Sequence, residues 1–410
     1  MAERPFIHVT VTDKAKRSID SGHPWVYGDE ITDISGQYSS GTLVDVRSRK
    51  GSYLGTGFIN DNSKIRVRLI SRNANDKFDR AFWERRVKYA IDYRKTVMPG
   101  DDFRCCRLIF GEADMFPGLT VDRFENVLSV EVLSLGIELI KDMLFDIIVS
   151  TMREYGEQID VIYERNESGV RTLEGMETSK GFYTKIDGLK SYSDGIVTIT
   201  ENGIKYEVDY INGQKTGFFL DQKYNRLAAA RIAKGKKVLD CFTHTGSFAL
   251  NAAKGGASHV TAVDISKDAV SLAESNARLN GLDGSMDFVC ADVFDLLTSM
   301  HNEGKCDYDY IILDPPAFTK SRATVDKAMR GYKEINMKAM KLLPRGGYLA
   351  TCSCSHFMTD GLFCKMLHDA AKDSCVSLRQ IEVRRQSPDH PILWNVPETD
   401  YLKFYIFQIV

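Results

Sequence analysis

Along residues 1 to 72, short alternations of apolar and polar positions recur in FIHVTVT, GTLVDVRS, SYLGTGFI and KIRVRLIS, parted by Gly, Asn and Ser. Period two with frequent turn residues predicts a small β-barrel domain. From about 76 the period lengthens. FDRAFWERRVKYAIDYRKTV places Phe82, Val87, Ala90 and Ile91 on one stripe and Arg85, Arg86, Lys88, Arg94 and Lys95 on a basic side, which predicts an amphipathic helix leading into a second domain. Strands near CRLIFGE, LTVDRF, VLSVEVLS and DVIYERN, with a helix near GIELIKDMLFDIIVSTMREYG, then predict a compact α/β middle domain ending near 188. IVTITENGIKYEVD alternates about Asn202-Gly203, a hairpin signature. Beyond it, apolar runs at KKVLD, SHVTAVD, MDFVCAD, YDYIILD and GYLATCSC alternate with helical patterns, and strands near 379 to 386 and 400 to 410 bring the count to seven. The expected class is α/β, in three parts: 1–72, 73–188 and 189–410.

Within the third part, KKVLDCFTHTGSFALNAAKGGASHVTAVDIS reads as strand, helix, strand, so its parallel strands need a right-handed crossover. Each strand closes on an acid, Asp240 and Asp264, at the spacing where a carboxylate meets the ribose hydroxyls of a nucleoside. A dinucleotide would require glycines that let backbone approach a pyrophosphate. Phe242 and His244 stand at two such positions and only Gly246 remains, so a nicotinamide dehydrogenase is disfavoured. A nucleoside ligand without phosphates still fits, and the D-x-F-x-x-T-G form resembles the first motif of class I S-adenosylmethionine methyltransferases. The plainer alternative is a βαβ unit that binds nothing, with both acids as solvated strand ends. Asp292 ends a third strand, where it would meet the adenine amino group while Val293 packs on the ring. Asp314-Pro315-Pro316-Ala317-Phe318 ends a fourth, and its two prolines stiffen a loop suited to a flat base. The segment GQKTGFFLDQKYNR is too rich in distinct polar groups for a plain connector; it reads as a lid over the cofactor, or else as a helix start capped by Asp221.

Composition alters this picture in a few places. The net charge of −2 implies no partner, but the first hundred residues hold 18 Lys and Arg against 12 Asp and Glu, and the remainder 36 against 44. A basic first third on an acidic body fits RNA docking by a module attached to an enzyme; an ordinary solvated surface is the alternative. Lys64, Arg66 and Arg68 share one face by period two and could lie against phosphates. Trp25, after a Pro turn, is expected to plug a barrel end, the alternative being a share in RNA docking with the basic strand. Nine scattered cysteines show neither a disulfide framework nor zinc spacing, so no metal is expected. No apolar run is long enough for a membrane helix and the N-terminus lacks a signal-peptide core, so the expectation is a cytoplasmic protein with no membrane partner.

Taken together, GHPWVYGDE, FPGLTVDRF, GQKTGFFLDQKYNR, DCFTHTGSFALNA, AVDIS, ILDPPAFTK, GYKEINMKAMKLL, CSCSHFM and SPDHP resemble the bacterial 23S rRNA 5-methylcytosine methyltransferases that carry an N-terminal PUA domain. The resemblance implies a PUA-like RNA-binding domain, a middle α/β domain and a Rossmann-like methyltransferase domain. It further implies S-adenosylmethionine as donor, S-adenosylhomocysteine as product, 23S rRNA as partner and a homodimer. Cofactor residues would be Phe219 and Gln222 as cover, with Asp240, Phe242, Thr243 and Gly246 around the methionine part. Asp264, Ile265 and Ser266 would meet the ribose and adenine, and Asp292, Val293 and Asp314 would complete the set. Pro315, Pro316 and Phe318 would hold the base, with Lys64, Arg66 and Arg68 on the RNA. Cytosine C5 is not nucleophilic until a thiolate adds to C6, so a cysteine is required at the sheet's carboxyl edge. Cys352 and Cys354 both lie there; the family pattern S-C-S selects Cys354 as nucleophile, leaves Cys352 structural and makes Asp314 a candidate base. D-P-P-x-F also resembles loops of enzymes that methylate exocyclic amines of guanine or adenine without a cysteine, and that reading stays open. So does a non-catalytic RNA-binding or ribosome assembly factor.

Overall fold

The computed structural model describes residues 4–304 and 307–410, so that of the nine cysteines Cys306 lies outside the described residues. The chain divides into two compact units, Met1–Ile199 with Val208–Leu220 and Pro388–Thr399, and Thr200–Glu207 with Asp221–Ser387 and Asp400–Val410.

In the first unit, β1 (Ile7–Val11), β2 (Trp25–Tyr27), β3 (Ile31–Ile34), β4 (Leu43–Ser48), β5 (Tyr53–Ile59) and β6 (Ile65–Ser71) form one sheet in the order β2-β6-β5-β4-β1-β3. Alternation sends Val9, Val11, Val44, Val46, Val67 and Leu69 into its core. The pattern did not show α1 (Asp13–Asp20), because so short a helix turns only Ala15 and Ile19 inward; Thr12 caps it through Ala15 N. The expected long helix is α2 (Arg80–Val97), and its stripe is buried as expected. Arg94 departs from the basic side assigned to it: the side chain is fully buried and bidentate on Asp114 at 2.5 and 2.7 Å. A second sheet follows in the order β11-β10-β9-β8-β7, built from β7 (Cys105–Phe110), β8 (Leu119–Phe124), β9 (Val127–Val132), β10 (Val161–Asn166) and β11 (Ser179–Phe182). α3 (Leu135–Glu154) and the single turn α4 (Val170–Leu173) join its strands. β11 was invisible to apolar patterning because SKGF is half-exposed and is held as an edge by its pairing with β10.

β12 (Ile196–Glu201) and β13 (Ile204–Asp209) are the expected hairpin, with Asn202 and Gly203 both left-handed at φ 53° and 72°. Its tip belongs to the second unit, where Asn202 Nδ2 donates to Lys223 O at 2.9 Å. There β14 (Lys237–Cys241), β15 (His259–Asp264), β16 (Met286–Cys290), β17 (Tyr310–Leu313), β18 (Tyr348–Ser353), β19 (Leu378–Arg384) and β20 (Lys403–Ile409) make a seven-stranded sheet, as expected. The order is β16-β15-β14-β17-β18-β20-β19, parallel except for β20, which runs antiparallel to both neighbours. The helices of this unit are α5 (Lys223–Ile232), α6 (Ser247–Lys254), α7 (Lys267–Leu279), α8 (Val293–Asn302), α9 (Val325–Leu342) and α10 (Asp360–Asp373). One apolar core runs from Leu239 and Leu313 through Tyr332 and Ile335 to Phe363 and Tyr405. The strand order reverses between β14 and β17, and at such a switch point an open α/β sheet forms its ligand crevice beyond the carboxyl ends of the strands.

Candidate active site

The loop after β14 keeps the shape of a glycine-rich turn without its glycines. Phe242 and His244 are held at φ 64° and 49°, and Gly246 follows at 79°. Side chains rarely occupy that region, and each such residue costs on the order of 1 kcal/mol or more. At Gly246 no substitute fits: a Cβ would lie 2.9 Å from Ala273 Cβ, so α6 and α7 pack through this absence. The loop is tied down by carboxylates. Asp240 Oδ2 accepts from Thr243 Oγ1 at 2.6 Å and Ala249 N at 2.9 Å, while Asp264 accepts from His244 N and Ser266 N at 2.9 Å each. Burial drives the His244 imidazole down to about 4, which makes it neutral near pH 7.

The acids expected at strand ends are brought together at this edge. Burial raises the Asp240 carboxyl to about 7, and the charges of Asp314 and Asp264 push it the same way. Burial likewise raises Asp314 to about 6, with Asp221 adding repulsion, although the residue stays partly exposed. Asp240 Oδ1 is buried with no hydrogen-bond partner. A cluster of carboxylates with an orphaned acceptor suits a cationic ligand and opposes a pyrophosphate. S-adenosylmethionine carries a sulfonium and an ammonium, so these residues fit it. Ile265, with 69% of its surface exposed at the end of β15, offers an apolar face for a ring.

Other expected residues have different surroundings. Val293 is buried in the core, not open to a ring, and Asp292 Oδ1 caps α8 through Phe294 N and Asp295 N. Gln222, expected as cover, is buried and donates to Asp314 Oδ1 at 3.0 Å, so it fixes the acid of the D-P-P loop. Gln222, not Asp221, stands at the N-cap of α5, and Asp221 instead accepts from Tyr401 OH at 2.6 Å. Phe219 falls in the first unit, half-buried, with Lys215 Nζ 4.9 Å from its ring. Pro315 is buried and Pro316 exposed, while Phe318 packs 4.5 Å from Tyr332 and 5.9 Å from Phe294. In the first unit Lys64 is exposed and Arg66 pairs with Asp61, but Arg68 is committed to Glu112 and Glu174 at 3.2 and 2.9 Å. Trp25 donates to the same Glu112 at 3.0 Å.

The two cysteines separate cleanly. Cys352 is fully buried on β18, its thiol hydrogen-bonded to Asp314 and pushed up by burial. Cys354 lies one residue past the strand and is partly exposed. Segment 353–355 is pinned on both sides, Ser353 Oγ donating to Tyr332 OH at 3.1 Å and Ser355 Oγ to Thr319 O at 2.7 Å. Sequence reasoning missed Lys403, whose Nζ donates to Ser355 O and Tyr401 O at 2.7 Å each. A lone Lys before an apolar β-run carries no local signal; its pairing opposite Ser353 is a product of the antiparallel β20.

A switch-point crevice lined by carboxylates, on a sheet whose last strand is inserted antiparallel, defines a class of methyl-transfer enzymes. In agreement, residues 187–407 match the family model of S-adenosylmethionine-dependent methyltransferases and residues 9–72 that of a PUA-like domain. The chain is 36% identical over 411 residues to ribosomal RNA large subunit methyltransferase I of Klebsiella pneumoniae, covering 100% of both. It is 40% identical over 394 residues to the protein of that name from Pseudoalteromonas translucida, covering 96% of this chain and 97% of the other. Among solved structures, an S-adenosylmethionine-dependent methyltransferase from Streptococcus mutans shares the fold at a TM-score of 0.81, with 22% identity over 98% of this chain and 100% of that one. The chain belongs to the ribosomal RNA large subunit methyltransferase I family of S-adenosylmethionine-dependent methyltransferases. Its methyl donor is S-adenosylmethionine. Among the described residues no helix is long and apolar enough to cross a membrane, and no cluster could hold a metal ion.

Proposed function

We propose that this enzyme methylates C5 of a cytosine in 23S rRNA through a covalent adduct of Cys354. The names of the relatives support the large-subunit RNA, and the PUA-like match supports RNA docking. The observation that carries the chemistry is the contrast between two thiols: Cys352 is sealed in the sheet, while Cys354 stands partly exposed just past its carboxyl edge.

Bound S-adenosylmethionine supplies a methyl group activated by its sulfonium. Asp240, Thr243 and Gly246 hold its methionine part, with Asp264 and Ile265 on the ribose and adenine. Pro315 and Pro316 hold the target base rigidly, since neither has a backbone N–H that could exchange partners. The Cys354 thiolate forms a bond to C6, and the C5–C6 π pair moves onto C5, which becomes nucleophilic. Once C5 carries the methyl group, Asp314 takes the C5 proton. The released pair restores the double bond and expels the Cys354 thiolate. A carboxyl raised to about 6 is better matched to this proton transfer than an ordinary aspartate.

In this reading 1–72 docks RNA, with Lys64 and Arg66 near its backbone, 73–188 is the middle domain, 189–410 holds the chemistry, and two copies associate. The rival is methylation of an exocyclic amine, favoured by the D-P-P-x-F loop, with Asp314 accepting from the amine. Bacterial rRNA tritiated at cytosine C5 separates the two. Wild type is expected to release tritium, and Cys354→Ala to lose that release by at least ~10³-fold. Methylation without tritium loss, unaffected by Cys354→Ala, would establish the rival.

A further inference from the structure

Lys403 begins β20 directly opposite Ser353, the last residue of β18. Its side chain is 3% exposed, and Nζ donates to two carbonyls, Ser355 O and Tyr401 O, at 2.7 Å each. Among the described residues no carboxylate lies within ion-pair distance of it. A buried ammonium is ordinarily paired with an anion, because desolvation penalises the charge and neutral carbonyls return only part of the loss. Asp400 and Asp360 favour the ammonium from beyond ion-pair distance, but the largest attraction is to a conditional anion, the sulfur of Cys354, which lies between Ser353 and the Ser355 carbonyl that Lys403 grips. Two of the three ammonium N–H directions are taken by these carbonyls, and the third is committed to neither.

We propose that Lys403 is the positioning residue for the Cys354 thiolate, clamping the 353–355 segment through the Ser355 carbonyl and compensating the charge of the sulfur. This rests on the C5 reading of the site, in which that sulfur must be anionic to attack and must again carry the charge when it leaves.

The groups facing the pair are consistent with such coupling. Around Cys354 they include Lys403 from β20, Tyr332 from α9 and the Cys352 thiol of the strand that ends just before it. Around Lys403, Asp400 and Asp360 favour the ammonium and Arg385 opposes it, and burial brings the amine down to about 8. The Tyr332 phenol, pushed up by burial, and the Cys352 thiol, likewise raised, both stay neutral near pH 7. Lys403 is therefore a cation that can respond to ionisation of Cys354. A buried amine that grips the backbone next to a partly exposed thiol, with its own ionisation shifted, is the pattern of a functional site more than of a structural pair.

The test titrates Cys354 without substrate. Alkylation by iodoacetamide is followed from pH 5 to 10 on the full-length protein, with the Cys354 peptide quantified by mass spectrometry, in wild type, Lys403→Met and Lys403→Arg. The wild-type midpoint is expected at least about one unit below the ~8.5 of an ordinary thiol. Lys403→Met should raise it by about a unit or more and slow alkylation at pH 7 roughly tenfold, whereas Lys403→Arg, which keeps the charge, should stay near wild type. A wild-type midpoint at or above ~8.5 overturns the proposal even where Lys403→Met does not fold, and so does an unmoved midpoint in a folded Lys403→Met. Tritium release from C5-labelled rRNA is measured alongside. Its absence in wild type refutes the C5 reading, while the alkylation midpoint decides separately whether Lys403 governs the sulfur.

Discussion

The two units treat charge in opposite ways. In the first, arginines and acids are matched inside the fold: Arg94 with Asp114, Arg107 with Asp122 at 2.7 Å, Arg68 with Glu112 and Glu174, and Arg171 with Glu138 at 2.9 Å. In the second, Arg226 and Glu201 form one such buried pair, but at the carboxyl edge of the sheet Asp240, Asp264 and Asp314 gather without an ion pair among the described residues, the charge of Arg226 offsetting only part of the repulsion on Asp314. Matched charge holds a shape; unmatched charge waits for a ligand. The contrast marks this edge, independently of any motif, as one that a cationic ligand would fit.

The largest test of the contrast lies in the first unit. Arg94→Met should strand Asp114 and the carbonyls of Arg107 and Asp389, which accept from the guanidinium at 2.9 Å each. Removing one member of a buried pair typically costs about 3–5 kcal/mol. Thermal denaturation should show the loss, and a melting point within a degree or two of wild type would show that the pair is not structural.

Next comes Gly246→Ala in the second unit. With φ at 79° and a new methyl 2.9 Å from Ala273, it should destabilise by about 1–3 kcal/mol. Affinity for S-adenosylhomocysteine, read by calorimetry, should fall at least tenfold because the turn and α6 move together. Retained affinity would mean that the loop's backbone does not shape the site.

These elements also mark how far the sequence was legible. The βαβ unit, the Asn-Gly hairpin and the seven strands carry strong periodic or turn signals, and all lie where pattern placed them. Phe242 and His244 are subtler: their identities spoke against a glycine turn, yet their backbones adopt one, since tertiary bonds from Asp264 and Asp240 hold what propensity opposes. Arg94 and Arg68 read as surface charge because a sequence does not show which acid a folded arginine meets. Val293 read as a ring contact because position after an acid fixes the strand end but not the rotation of the next helix. Lys403 was silent for a related reason, its partner Ser355 being 48 residues away in the chain.

A smaller effect separates the units by pH. Asp240 and Asp314 ionise at about 7 and about 6 in the folded protein, against 3.8 when unfolded. The folded state therefore holds more protons than the unfolded one between about pH 4 and 7, and stability falls as pH rises through that window. A cationic ligand prefers the ionised acids, so S-adenosylmethionine affinity should rise severalfold between pH 6 and 8. Asp240→Asn should flatten that rise, weaken binding at pH 8 and raise the melting point by about 2–4 °C, since a neutral amide removes the buried charge. An affinity that is level across this range in wild type would mean that the carboxylates do not face the cofactor's charge.

The smallest expected effect concerns what the first unit leaves over. With Arg68 spent on Glu112 and Glu174, the cations of the β6 face still able to meet phosphate are Lys64, exposed and without an ion-pair partner among the described residues, and Arg66, held only by the exposed Asp61. Lys64→Ala should leave stability unchanged and lower the slope of log affinity for rRNA against log salt by about 0.7–0.9, the release of one counterion. Arg68→Ala should instead destabilise the unit and leave that slope alone, because a guanidinium already neutralised by two carboxylates has no counterion to release. If Arg68→Ala flattened the slope as much as Lys64→Ala, the internal pairing would have to open on RNA, and the division between matched and unmatched charge would hold only for the protein without RNA.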